Sequence, residues 1–166
     1  MRQLYYLEMA RTASRRSTCL NFLEGAIVVN HDEIIATGYN GAPRGTFNCT
    51  DRGACFRPEH NVPDGVRLEL CGMISATQNC IISASREKML YGTMYIYQWD
   101  AGLNSMPEFP DSTILSKRMI INSGIEEVVY ADKNSICYDR DLGYGFRVVR
   151  VSDWANDYAG LLSKPL

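Results

Sequence analysis

Two apolar runs facing each other across a short turn constrain this chain more than any other feature. Glu24-Gly25-Ala26-Ile27-Val28-Val29 reads as a strand, Asn30-His31-Asp32 as a turn, and Glu33-Ile34-Ile35-Ala36-Thr37-Gly38-Tyr39 as the returning strand of a hairpin. Apolar and β-branched residues suit a pleated surface, and Asn and Asp tolerate the tight backbone of a turn. Ahead of the hairpin, Tyr6, Met9, Ala10 and Ala13 recur at helical spacing and predict an amphipathic helix over 2–15. Behind it, 75–88 reads as a helix, Thr93-Met94-Tyr95-Ile96-Tyr97 as a buried strand, and 111–122 as a helix stopped by Gly124. Strands follow at 125–130 and 146–151, then a polar helix over 153–162. This order predicts an α/β fold, a three-layer α/β/α sandwich with one mixed sheet of about five strands.

The 166 residues hold no internal repeat, low-complexity tract or linker, so a single domain over 1–166 is expected. A chain of this length buries roughly 70% of its unfolded surface and needs no disulfide scaffold. Seventeen Lys and Arg against nineteen Asp and Glu leave a net charge of −2 with no basic stripe, which argues against a duplex nucleic-acid partner. No window approaches about 18 apolar residues, so no membrane partner is expected. Met1-Arg2-Gln3-Leu4-Tyr5-Tyr6 lacks the apolar core of a signal peptide. The expected compartment is cytoplasmic, where the six cysteines read as thiols or metal ligands.

Residues 40–74 carry Gly, Pro, Asn and Asp at short intervals without sustained periodicity, which predicts a long loop of the functional kind. Its first residues belong to a pattern that is recognisable. Arg16-Ser17-Thr18-Cys19, Gly25-Ala26-Ile27-Val28-Val29 and Thr37-Gly38-Tyr39-Asn40-Gly41-Ala42-Pro43-Arg44-Gly45 closely resemble the deoxycytidylate (dCMP) deaminases. The likeness continues through Leu70-Cys71, Gln78-Asn79, Met94-Tyr95-Ile96 and Ile120-Ile121-Asn122-Ser123-Gly124-Ile125, covering about residues 4–131 in the same order. It implies a cytidine deaminase-like fold. Related deaminases assemble as hexamers, so it also implies a homo-oligomer, or a hetero-oligomer with an active paralogue.

The resemblance fails where the family's chemistry is done. Zinc deaminases carry H-x-E at one helix start and P-C-x-x-C at the next; one His and two Cys hold the metal and the Glu moves protons. The matching stretch here is Ser75-Ala76-Thr77-Gln78-Asn79-Cys80, with Ser75 for the ligand His and Thr77 for the Glu. Counting back from Lys117 and Gly124 puts the two Cys ligands at Ser112 and Leu115, and no C-x-x-C occurs in the chain. The only histidines are His31, in the hairpin turn, and His60, in the long loop. Serine is a poor zinc ligand and leucine is none, so no catalytic zinc is expected. Water without the metal keeps a pKa near 16, and deamination by the family route is not expected either.

What the scaffold retains is read from the same alignment. The resemblance carries a sugar- and phosphate-holding role onto Asn40, with Gly41, Ala42 and Pro43 shaping the backbone; Arg44 suits phosphate oxygens. Ser75, Thr77 and Tyr97 are expected to face the same ligand, a nucleotide or another small molecule. Equally, the loop serves only to close the hairpin onto the sheet. Some family members hold a structural zinc near this loop, which makes Cys19, Cys49, Cys55 and Cys71 candidate ligands; the other reading is four buried thiols.

Three residues are candidates for a replacement chemistry: Glu24 or Asp100 as general base and Cys80 as nucleophile. Packing for Cys80 and a solvated strand-edge charge for Glu24 are the plain alternatives. Tyr95, Tyr97 and Trp99 either stack on a base or fill the core. Gln98-Trp99-Asp100 read as the opening of an enlarged loop, and the family's helix before the last strand looks shortened across 132–145. Three functions remain: an inactive homologue binding a nucleotide or partner subunit, a repurposed zinc-independent enzyme, or an interaction module with a filled pocket. An open cavity where a carboxylate meets a polar partner favours the second, and a plugged one the third.

Overall fold

In the computed structural model, which describes residues 2–63 and 67–162, the hairpin forms as expected. Strands β1 (Phe22–Asn30) and β2 (Glu33–Tyr39) pair antiparallel from Gly25↔Tyr39 to Asn30↔Glu33. Only His31 and Asp32 form the turn, both at positive φ (48° and 67°), the backbone of a tight two-residue hairpin. Tyr6 fixes it from helix α1 (Arg2–Ser14), its hydroxyl donating to Asp32 Oδ1 at 2.7 Å.

Three more strands complete the sheet: β3 (Thr93–Asp100), β4 (Glu127–Asp132) and β5 (Gly145–Arg150), in the order β2-β1-β3-β4-β5. Only the β3–β4 pair is parallel, so the sheet is mixed. β3 runs three residues past its expected end. Gln98, Trp99 and Asp100 pair with Glu24, Leu23 and Phe22, so they extend the strand rather than open a loop.

Alternation along the central strands sorts the core into two layers. Ala26, Val28, Met94, Ile96, Val128 and Tyr130 face one side, under α4 (Ala76–Ile81) and α6 (Ile114–Ser123). Ile27, Val29, Tyr95, Tyr97, Val129 and Ala131 face the other, under α1. The buried stripe of α1 is Tyr6, Leu7, Ala10 and Ser14, turned slightly from the expected Tyr6-Met9-Ala10-Ala13 set. Gly25 selects that rotation, because a Cβ there would stand 1.9 Å from Ala10 O. Helix α7 (Val151–Leu162) packs Val151 and Trp154 on the α6 side.

Two helical expectations need correction. The segment 75–88 is not one helix: α4 ends at Ile81, and a separate short helix, α5 (Arg86–Met89), follows. The Ser83 hydroxyl donates back to the Asn79 carbonyl, the kind of local serine bonding that competes with a continuous helix, and Ser85 stands in extended backbone at the N-cap position of α5. The long loop is not structureless. It contains α2 (Cys49–Arg52), α3 (Phe56–Glu59) and a 3₁₀ turn at Leu68–Leu70.

β2 lies on α4 through Gly38, where a Cβ would come within 2.3 Å of Ala76 O and 2.5 Å of Cys80 N. Both contacts are backbone and cannot rotate away. Gly38→Ala is expected to destabilise the fold by about 2 kcal/mol or more, as overpacked cores do. Gly72→Ala, whose Cβ meets nothing within 4 Å, is expected to stay within about 0.5 kcal/mol. Urea unfolding of both variants checks the contrast.

Candidate functional site

Two helices begin at the same place above β1 and β3. α4 is capped by Ser75, whose hydroxyl accepts from Gln78 N at 3.1 Å while Gln78 Oε1 accepts from Ser75 N at 3.2 Å, a reciprocal capping box. α6 is capped by Thr113, whose hydroxyl accepts from Ser116 N. The two caps meet: Ser75 Oγ lies 3.1 Å from Ser116 Oγ, and Thr113 Oγ1 donates to Ser116 Oγ at 3.2 Å. Ser112 and Leu115, selected by counting along the sequence, do not join this cluster. Ser112 accepts from the Tyr130 hydroxyl in the core, and Leu115 forms a half-exposed wall. The helix starts at Ile114 rather than 111, and the cap cluster is made by Thr113 and Ser116, each one place beyond the counted pair.

Beneath the caps, Glu24 is almost completely buried (6% exposed). Its carboxyl accepts from Ala76 N at 2.8 Å and from Gln98 Nε2 at 3.1 Å. Gln98 also grips the Asp111 backbone, donating to its carbonyl at 2.8 Å and accepting from its N–H at 3.2 Å. Asn40 joins from the β2 end: Oδ1 accepts from Glu24 N and Nδ2 donates to Phe22 O. These groups floor a cleft of about 570 Å³ with apolar walls from Phe22, Met73, Ile74 and Leu115, within the size range of small-molecule sites.

The expected site residues divide sharply. Asn40 and Ser75 line this cleft with Glu24. Gly41, Ala42, Pro43 and Arg44 line a different pocket, of about 430 Å³, together with Arg16. Gly41 is held there by paired backbone bonds to Ile74. Thr77 is fully buried and lines neither pocket; its hydroxyl has no hydrogen-bond partner among the described residues. Tyr97 falls on the opposite face of the sheet, stacked edge-on with Tyr144, because its parity along β3 is that of Tyr95.

Two candidates for catalysis are corrected. Cys80 is fully buried, and burial pushes its thiol up to about 12, which disfavours the nucleophilic thiolate. Asp100 turns its carboxylate to Leu103 N at 2.9 Å, where it caps a turn beyond the cleft. Glu24 is neither solvated nor at a strand edge. Gln98, Thr113, Ser116 and Asp111 join the site although no sequence motif marks them as its members. The parity of Gln98 with Met94 and Ile96 was the available signal, as was the three-residue spacing of Thr113 and Ser116, which repeats that of Ser75 and Gln78.

The cysteine group is partly assembled. The Cys49 thiol is raised first by burial and then by the proximity of Cys19, Cys55 and Cys71. Cys49 Sγ lies 3.6 Å from Met73 Sδ, and Cys19 and Cys71 border the cleft. Among the described residues no three His, Cys, Asp or Glu side chains are arranged to hold a metal ion.

Burial holds the Glu24 carboxyl above its ordinary value of 4.5, against the two hydrogen bonds that pull it down. The folded protein therefore binds this proton more tightly than the unfolded chain. Its contribution is complete below the unfolded pKa and is lost as pH rises through the folded one. Denaturant titrations at pH rising above 4.5 are expected to show this contribution being lost, and Glu24→Gln is expected to remove the loss.

Comparison with known proteins agrees with this architecture. Residues 1–132 match the family model described as the cytidine and deoxycytidylate deaminase zinc-binding region. The deoxycytidylate deaminase of Schizosaccharomyces pombe is 36% identical over 126 residues, covering 76% of this chain and 35% of that protein. The enzyme of Saccharomyces cerevisiae is 33% identical over 128 residues, 76% of this chain and 36% of the relative. The chain thus spans about a third of the length of these two relatives, and matches 91% of the Mycobacterium phage D29 deoxycytidylate deaminase at 30% identity. Among solved structures, the dCMP deaminase of cyanophage S-TIM5 in complex with dCMP and dUMP superposes with a TM-score of 0.54 at 21% identity, over 77% of this chain and 79% of that one. The cytidine deaminase of Burkholderia pseudomallei does so at 0.53 and 12% identity, over 90% and 93%. On this evidence the chain belongs to the cytidine and deoxycytidylate deaminase family.

Proposed function

We propose that this protein is a deaminase homologue that binds a nucleotide-like small molecule in the Glu24 cleft and does not deaminate it by the family's metal-hydroxide route. The observation that carries the reading is the convergence of Ser75, Thr113 and Ser116 at the two helix starts. In a zinc deaminase that is where one His and two Cys would stand. Three neutral hydroxyls do not suit Zn²⁺, which takes thiolate, imidazole and carboxylate donors. Thr77, at the place of the proton-moving Glu, offers no carboxylate and is sealed from the cleft. We therefore derive no metal-assisted step.

Binding is supported by the cleft itself, which is open rather than plugged by side chains. The open cleft in which the Glu24 carboxyl meets Gln98 meets the criterion for a new enzyme in the same place, and two observations weigh against it. Cys80 and Asp100 are withdrawn from the cleft, and both Glu24 oxygens already accept bonds that tie elements together. The relative solved with dCMP and dUMP makes pyrimidine compounds the first ligands to try. The thiols of Cys19, Cys49, Cys55 and Cys71 are of the donor class that suits a structural zinc, but among the described residues they are not arranged to hold one. Exposed Phe109, Ile114 and Leu115 offer apolar surface for assembly with a second copy or an active paralogue.

The ligand-position reading is tested by restoration. The triple variant Ser75→His, Thr113→Cys, Ser116→Cys is expected to bind about one more zinc per chain than the parent, by metal analysis after dialysis. The same change placed at Ser75, Ser112 and Leu115 is expected to add none. Equal uptake by both variants, or by neither, counts against the assignment. Incubation of the unaltered protein with dCMP is expected to release no ammonia, while a ligand at about 100 times its Kd raises stability by about 2.7 kcal/mol. Turnover of dCMP would overturn the proposed function.

A further inference from the structure

We propose that Cys19 and Cys49 form a reversible disulfide, a redox modification that ties the segment entering β1 to the start of α2. It is independent of the ligand reading above. Cys19, Cys49, Cys55 and Cys71 stand near one another, yet among the described residues they make no three-ligand group for a metal ion. A disulfide asks for less: two sulfurs, on Cα atoms usually about 4.4–6.8 Å apart.

Backbone hydrogen bonding selects the pair. Thr50 N donates to Thr18 O at 3.3 Å. The donor belongs to the peptide that follows Cys49, and the acceptor to the peptide that precedes Cys19. Each of these groups lies within about 3 Å of its cysteine's Cα, so the bond holds the two Cα atoms close. Both sides are fixed in turn. Thr18 N donates to Asn40 O at 3.3 Å and Cys19 N to Ser17 Oγ at 3.2 Å. Asn48, just before Cys49, donates its backbone N–H to Asp51 Oδ2 at 3.1 Å. Among the described residues no backbone bond joins a peptide flanking Cys55 or Cys71 to one flanking Cys19 or Cys49. Of the three thiols around Cys49, Cys19 also acts on it most strongly.

The step needs an oxidant, and a small-molecule disulfide of the glutathione class supplies it. Both thiols are half-buried, and Cys19 borders the cleft, where such a reagent can reach it. The Cys19 thiolate attacks one sulfur of oxidised glutathione, breaking its S–S bond and releasing one glutathione thiolate, which takes up a proton. The Cys49 thiolate then attacks the Cys19 sulfur and expels the second glutathione, which is protonated likewise. Two protein thiols are oxidised, and one glutathione disulfide is reduced to two thiols. Thr18 and Asn48, next to the two cysteines, line the pocket of Arg16 and Arg44. The bond therefore joins residues at the edges of both spaces and closes a loop around the β1–β2 hairpin.

Incubation of the reduced full chain with oxidised glutathione, then blocking of free thiols and tryptic mapping without reductant, tests this. The expected product joins peptide Ser17–Arg44 to peptide Gly45–Arg52, each of which carries one cysteine. Dithiothreitol is expected to separate them, and oxidation to raise the thermal midpoint by about 5 °C or more. In Cys49→Ser the linked peptides and the rise are expected to vanish, leaving Cys19 as a glutathione adduct, whereas Cys55→Ser retains both. Three results overturn the inference: Cys19 or Cys49 joined to Cys55 or Cys71 instead, glutathione adducts alone at Cys19 and Cys49, or both thiols unmodified after exposed Cys137 has reacted.

Discussion

The buried carboxyl of Glu24 is the point on which the site depends. It sits on β1, accepts from the first N–H of α4 and from Gln98 on β3, and its own backbone N–H is held by Asn40. Gln98 passes the linkage to Asp111, which leads into α6. One connected set of amides and a carboxyl thus joins two strands, the loop after β2 and the starts of two helices. A carboxyl buried without partners would be costly; here each oxygen has one, and the same bonds that satisfy it set the helix positions.

That linkage explains why the two helix caps meet. With Ala76 N tied to Glu24 and the Asp111 backbone tied to Gln98, Ser75 and Ser116 are brought to hydrogen-bond distance. The same framework can present very different side chains at the caps. A fold that positions metal ligands on two helix starts will equally position hydroxyls there, because glycine contacts, strand pairing and the buried polar set hold the backbone independently of the ligands. Gly25 against α1 and Gly38 against α4 belong to that independent support.

The resemblance was legible because it lies in segments whose chemistry is local. The Gly-Tyr-Asn-Gly-Ala-Pro run combines a strand end, a close backbone approach and a turn, and few other sequences meet those demands together. Positions within the site were less legible. Asn40 and Ser75 line the cleft, and both have local marks, a residue of the Gly-Tyr-Asn-Gly run and a capping box. Tyr97 was misplaced because aromatic character does not say which face of a strand a residue takes; only the register of β3 against β1 does. Cys80 looked reactive by type, but its burial against β2 decides its chemistry.

By itself the sequence determined the order of the strands, the hairpin, the α/β architecture and the family, because these follow from periodicity, turn residues and local motif. Only the tertiary structure decided that Glu24 lies buried beneath Ser75, that Thr113 and Ser116 are the residues meeting it, and that Arg44 opens onto a separate pocket. Those facts depend on where two helices start relative to a sheet, to within one residue. A one-residue change in a helix start turns a side chain through about 100°, and the local mark of that choice is slight: the three-residue spacing of Thr113 and Ser116.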